Sequence, residues 1–261
     1  MIESTTSEKK FTHLHLHTQY SLLDGFTVID KVMKKASDLG MDSIAITDHG
    51  VMFGVVDFYK AAKKYNIKPI IGCELYTAAR THKDKENIDK KSGHLILLAK
   101  DDEGYRNLIK LVSIGFVDGF YYKPRVDYEL LKKYSKGLVC LSACLAGDVQ
   151  QQILAGDYEK ACKTALSLEE IYGKGNFYLE MQNHNIPEQK KVNIYLRKMS
   201  KDTGIPLVVT NDVHYVDKQD NKSHEVLLCI QTGKTLADEQ KMEFLTNEFY
   251  FKSQEEMYKL F

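Results

Sequence analysis

Histidines, carboxylates and one cysteine recur in this sequence where apolar runs give way to loops. His13, His15 and His17 alternate through HLHLH, so in a strand all three side chains would share one face. Spacing by two is a good way to present two imidazoles to one metal ion, whereas a lone histidine is more often an ordinary surface or core residue. Asp48 and His49 directly follow SIAIT, Glu74 ends PIIGCE, Cys144 lies just after VCLS, and Asp212 with His214 follow LVVT. Nitrogen, oxygen and thiolate ligands of these kinds hold ions at ~2.0–2.3 Å, and bridging carboxylates offset the repulsion between neighbouring cations. Each position also has a structural explanation: Glu74 as a salt-bridged loop residue, Cys144 as a small buried hydrophobe, and Asp212 as a cap. Asp48 could orient a ligand from behind or cap the following turn. What favours a shared centre is their joint placement. His94 departs from the pattern, because it begins HLILLA instead of ending it.

The elements that must position these residues alternate along the chain. Strand-like runs fall at 11–16, 43–47, 69–75, 94–99, 137–142, 177–181 and 206–210. Helical spacing fills 29–39, 54–65, 102–115 and 157–172, a further helix opens after Pro187, and Gly40 stands where a left-handed helix end is favoured. Mostly continuous apolar strands alternating with helices predict a parallel α/β fold, and in α/β barrels groups at the carboxyl ends of several strands converge on one site. Residues 1–10 read as a flexible amino terminus and 80–93, charged and poor in apolar residues, as an exposed insertion. The stretch from about 235 to Phe261 reads as helical, ending as though a larger protein continued beyond it.

Composition constrains partners and compartment. Lysine plus arginine and aspartate plus glutamate both number 36, so the net charge is zero and any nucleic-acid contact must be local. Five cysteines without a close CxxC pair, and no signal segment, point to a reducing cytoplasm. No apolar run approaches the ~20 residues of a membrane helix.

The motifs HLHLHTQYSLLDG, IAITDHGVMFGVVDFYKAAKKYNIKPIIGCELY, HLILLAKDDEGYRNL, GFYYKPRVD, LSACLAG, TNDVHY and CIQTGKTL resemble the PHP (polymerase and histidinol phosphatase) domain. The form they resemble is that of bacterial C-family replicative polymerases. The likeness runs from Phe11 to the end, residues 11–261, with about 235–261 leading toward the polymerase region. Phosphatase relatives share the ligands but not FGVVDFYKAAKK, AKDDEGYRNL or SACLAG.

The resemblance implies a distorted (β/α)7 TIM-like barrel whose mouth holds two or three divalent ions, zinc and/or manganese. The family's ligand positions fall on His15, His17, Asp24, His49, Glu74, His94, Cys144, Asp212 and His214, with His13 outside the set. By analogy His15, His17, Glu74 and Asp212 would share one ion, Glu74, His94 and Cys144 a second, and Asp24, His49 and His214 a third. Retention of all these positions resembles members credited with metal-dependent 3′–5′ exonuclease activity, in the polymerase type without an inserted exonuclease. The implied reaction is hydrolysis of the DNA primer 3′ end, with hydroxide on a metal as nucleophile and no separate protein base. The implied partners are DNA and the remaining polymerase domains. Two other readings follow from the same family: a metal-bound but inactive interaction domain that docks a proofreading subunit, and a free-standing phosphatase of small metabolites.

Overall fold

A computed structural model describes residues 10–240, 242 and 244–261 of the chain, so the expectation for the amino terminus lies almost entirely outside the described residues. The strands are β1 (Ser43–Ile46), β2 (Lys68–Ala78), β3 (Ser92–Ala99), β4 (Phe120–Tyr121), β5 (Lys123–Val126), β6 (Leu138–Leu141), β7 (Phe177–Met181) and β8 (Leu207–Val209). The helices are α1 (Ile29–Asp38), α2 (Val55–Lys64), α3 (Asp102–Val117), α4 (Tyr128–Lys133), α5 (Asp148–Leu154), α6 (Tyr158–Tyr172), α7 (Pro187–Thr203), α8 (Asn221–Thr232) and α9 (Gln254–Leu260).

Local chemistry sets their ends. Asp101 and Asp157 cap α3 and α6 by accepting from the amides of Gly104 and Lys160. Pro187 opens α7, and Gly204, at φ +80°, closes it in the left-handed region where glycine carries no steric penalty.

Seven extended segments close into a ring. Residues 13–16 bond to β1 through Ala45 N–H to His13 O and Thr47 N–H to Leu16 O, each 2.9 Å. The order then runs β1, β2, β3, β6, β7, β8. The circle shuts where His17 N–H donates to Val213 O at 2.8 Å and Val213 N–H to His15 O at 3.1 Å. Alternation along the staves sorts the side chains. Cys73, Leu75, Leu95, Leu97, Cys140, Phe177 and Leu179 pack outward against the helices, whereas Ile96, Leu98, Leu141 and Ala143 join Ala45 in a smaller cluster. The fold is thus an α/β, distorted TIM-like barrel.

Three features differ from the sequence reading. First, the sheet is mixed: β3 runs antiparallel to both β2 and β6, because no crossover helix separates β2 from β3 and the chain returns along the same edge. Second, the charged segment 80–93 is pinned rather than loose. It contains a short 3₁₀ turn (Asn87–Lys90), and buried Arg125 donates to the carbonyls of His82, Asp84 and Asp89 while Arg80 pairs with Asp89. Third, no helix forms among the described residues of 235–253. Phe249 and Phe251 are buried at a period of two, and the backbone there is extended, exchanging hydrogen bonds with His214 and Tyr215.

Candidate metal centre

The antiparallel course of β3 brings His94 to the site. Its amino end lies beside the carboxyl end of β2, with His94 opposite Tyr76 and two residues from the level of Glu74. Glu74 stands at the centre of the cluster. Its Oε1 lies 2.6 Å from His94 Nδ1 and 3.0 Å from His49 Nδ1; its Oε2 lies 2.8 Å from His15 Nε2 and 3.4 Å from His17 Nε2. Asp212 Oδ1 lies 3.1 Å from both His15 Nε2 and His17 Nε2. Asp24 Oδ2 lies 2.9 Å from His49 Nε2, and its Oδ1 lies 3.9 Å from His214 Nε2. Cys144 Sγ lies 3.7 Å from His94 Nδ1.

Donor atoms within 4.8 Å of one another form three overlapping groups: His15, His17, Glu74 and Asp212; Glu74, His94 and Cys144; and His17, His49 and His214. All nine residues named from the sequence therefore gather at one rim, although Asp24 touches the third group from its side, where His17 completes it. His13 does not join them. Segment 11–18 carries only isolated bridges in place of a regular strand, so its alternation breaks; His13 packs against Phe11 and Phe251 and bonds Lys252 O.

The rings are held from behind. His15 Nδ1 lies 2.7 Å from Glu180 Oε1, which turns Nε2 toward Glu74, Asp212 and His17. Glu180 also accepts from the Thr210 hydroxyl and from Gln182 Nε2. His17 Nδ1 meets Ser21 Oγ at 3.3 Å, and the Ser21 hydroxyl donates to Asp48. Asp48 is buried and also accepts from Thr18 N–H and Oγ1, so it braces the turn behind His17 and lies out of the cluster itself. His214 Nδ1 sits 2.8 Å from Asp212 O, with Nε2 turned toward Asp24. Backbone strain concentrates here too: Leu23, Ala143 and Asp212 have φ of 62°, 64° and 44°, and the first two adjoin Asp24 and Cys144.

Electrostatics bear on what the site could hold. Burial would raise the carboxyls of Glu74 and Asp24, yet the surrounding histidines hold both well below the usual range. Burial disfavours a charged His49, but Glu74 and Asp24 outweigh it and push its pKa up to about 10. Burial pulls His214 down to about 3 and pushes the Cys144 thiol well up. Among the described residues no lysine or arginine pairs with Glu74, Asp212 or Asp24, and buried Asp24 Oδ1 and Asp212 Oδ1 have no hydrogen-bond partner. Orphaned carboxylate oxygens facing imidazole nitrogens are what divalent cations would satisfy. The donor set of nitrogen, oxygen and one sulfur fits them.

The sequence profile described as PHP domain matches residues 13–184, which is more than half of the chain. This chain belongs to the PHP family. The chain is 48% identical, over 97% of its length, to DNA polymerase III subunit alpha of Borreliella burgdorferi, and 45% identical, over 96%, to that of Treponema pallidum. It spans 22% of the length of each of these relatives. Among solved structures, an amidohydrolase from Chromobacterium violaceum is 14% identical with a TM-score of 0.49, covering 78% of this chain and 87% of that chain. No helix among the described residues is long and apolar enough to cross a membrane.

The sequence reading missed Glu180. It lies within FYLEM, between Leu179 and Met181, and the available signal was an acid inside an apolar strand, on the face opposite its packed neighbours.

Proposed function

We propose that this chain is a metal-dependent phosphodiesterase domain that removes nucleotides from the 3′ end of a DNA primer, acting beside the polymerase regions its relatives carry. The observation supporting it most strongly is Glu74, whose two oxygens face separate histidine groups, with Asp212 and Cys144 completing the two sides. His15, His17, Glu74 and Asp212 would hold one ion, Glu74, His94 and Cys144 a second, and Asp24, His49 and His214, with His17 adjacent, a third; imidazole and thiolate favour zinc, and the carboxylates also accept manganese.

Divalent ions held there supply an acidified water and neutralise charge on the phosphodiester. The protein's part is positional. Glu180 and the Asp48–Ser21 pair fix His15 and His17 with Nε2 turned inward, and Asp212 O does the same for His214. His15 and His17 are fully buried at the closed end, whereas His49, His94 and Asp24 are 15–19% exposed, so a phosphodiester enters from their side. Among the described residues no lysine or arginine stands in the cluster, and Glu180, the acid outside the ligand set, is engaged with His15.

The test is release of terminal nucleotides from a mispaired primer with zinc or manganese, run beside Asp212→Asn. The expected result is metal-dependent release by the wild type and at least a hundredfold loss in the variant. Equal rates would overturn the assignment and leave a bracing domain.

A further inference from the structure

From the exposed side of the metal centre a groove of about 240 Å³ continues outward, with Asp24 and His49 among its lining residues. Its wall is aromatic. Phe53, Phe116 and Phe120, from the loop before α2, the end of α3 and β4, are 61%, 39% and 48% exposed. They form a row, with ring centroids 6.3 Å apart between Phe53 and Phe116 and 6.1 Å between Phe116 and Phe120, the planes tilted by 38° and 31°. Lys123 lines the same groove with its ammonium 5.2 Å over the Tyr76 ring. Three large aromatic side chains left open in one row mark a surface that meets a partner or a ligand.

We propose that this row is a stacking subsite for unpaired bases of a single-stranded nucleic-acid end whose phosphodiester lies at Asp24 and His49. The inference rests on the nuclease reading above and names how that site would hold its substrate. Two features select bases over a protein segment. Flat rings in series beside a cation are the recurring pattern of sequence-tolerant single-strand binding, since every base offers a π-face. The groove also runs directly into the carboxylate and imidazole of the proposed centre, so a strand stacked on Phe53 and Phe120 would deliver its backbone there.

Binding is read by fluorescence anisotropy in chelator, so it does not depend on hydrolysis. The probes are a labelled thymidine octamer and an abasic strand with the same phosphates, tested on wild type, Phe53→Leu with Phe120→Leu, and Phe53→Trp with Phe120→Trp. Stacking is worth about 1–3 kcal/mol per base. The wild type should therefore prefer the base-bearing strand at least tenfold, the leucine pair should lose most of that preference, and the tryptophan pair should retain it. Circular dichroism melts confirm that each variant is folded. Equal affinity of the wild type for both strands, or a preference that survives in the leucine pair, overturns the subsite, as a groove that docks a protein segment would. Base-dependent binding in a protein that hydrolyses nothing overturns the nuclease reading while supporting the subsite.

Discussion

At the scale of single residues, Glu180 is the clearest case of a side chain acting through another. It accepts from His15 Nδ1–H at 2.7 Å and is itself held by Thr210 and Gln182, so the ring can neither rotate nor exchange its tautomer freely. Glu180→Gln keeps the shape and weakens that hold. Zinc affinity measured by competition with a chelator should fall 10–100-fold, the usual effect of removing such a carboxylate, and an unchanged affinity would refute the role. His184 makes a different prediction. It is buried with Nε2 donating to Asn211 O and Nδ1 accepting from Gln189, and burial, the largest cause, lowers its pKa to about 4. A folded pKa below the unfolded value of 6.5 means that the unfolded chain binds the proton first, so the contribution to stability is complete above 6.5 and is lost as pH falls toward 4. The loss is about 3 kcal/mol over that interval at about 1.4 kcal/mol per pH unit. Urea unfolding at stepped pH should show it in the wild type, with a shallower slope in His184→Gln. His49, Glu74, Cys144, Asp212 and His214 were legible because their chemistry is rare and they end or follow apolar runs, whereas Asp24 was named only through the family resemblance and His94 begins its run; Glu180 and His184 were not legible, because their roles depend on which way a strand or loop turns them.

Elements account for most of what the sequence left open. Strand and helix positions were readable from apolar periodicity, and Pro187 and the left-handed Gly40 marked a start and an end. Strand direction was not, since β3 has the same apolar content whichever way it runs; its reversal is what carries His94 to the rim. The charged segment 80–93 looked solvated because its anchor, Arg125, lies far along the chain in β5. That side chain is fully buried and also donates to Gly119 O. Arg125→Met should release the segment, because removing the guanidinium strands several carbonyls at about 1–3 kcal/mol each unless water reaches them. Trypsin should then cut at Lys83, Lys85, Lys90 or Lys91 at least tenfold faster than in the wild type, and equal cleavage would show that the anchor lies elsewhere.

Taken as a whole molecule, the chain is a ring of seven extended segments, each of which sends a functional side chain to one rim. The first segment gives His15 and His17, β2 gives Glu74, β3 gives His94 and β7 gives Glu180. His49, Cys144 and the Asp212–His214 pair follow β1, β6 and β8. Zero net charge gives the chain no net monopole with which to attract a polyanion. The barrel and its site end were legible from alternation of elements and from chemistry at the ends of runs; closure through the irregular first segment was not, because only backbone bonds to Val213 make it. On the proposed function these side chains hold several cations around Glu74. Anomalous diffraction at the zinc and manganese edges, from crystals grown with both ions, tests it directly. Two or three peaks should appear within the cluster, at ~2.0–2.3 Å from the imidazole, carboxylate and thiolate donors. Peaks only elsewhere on the molecule, or none at Glu74, would contradict it.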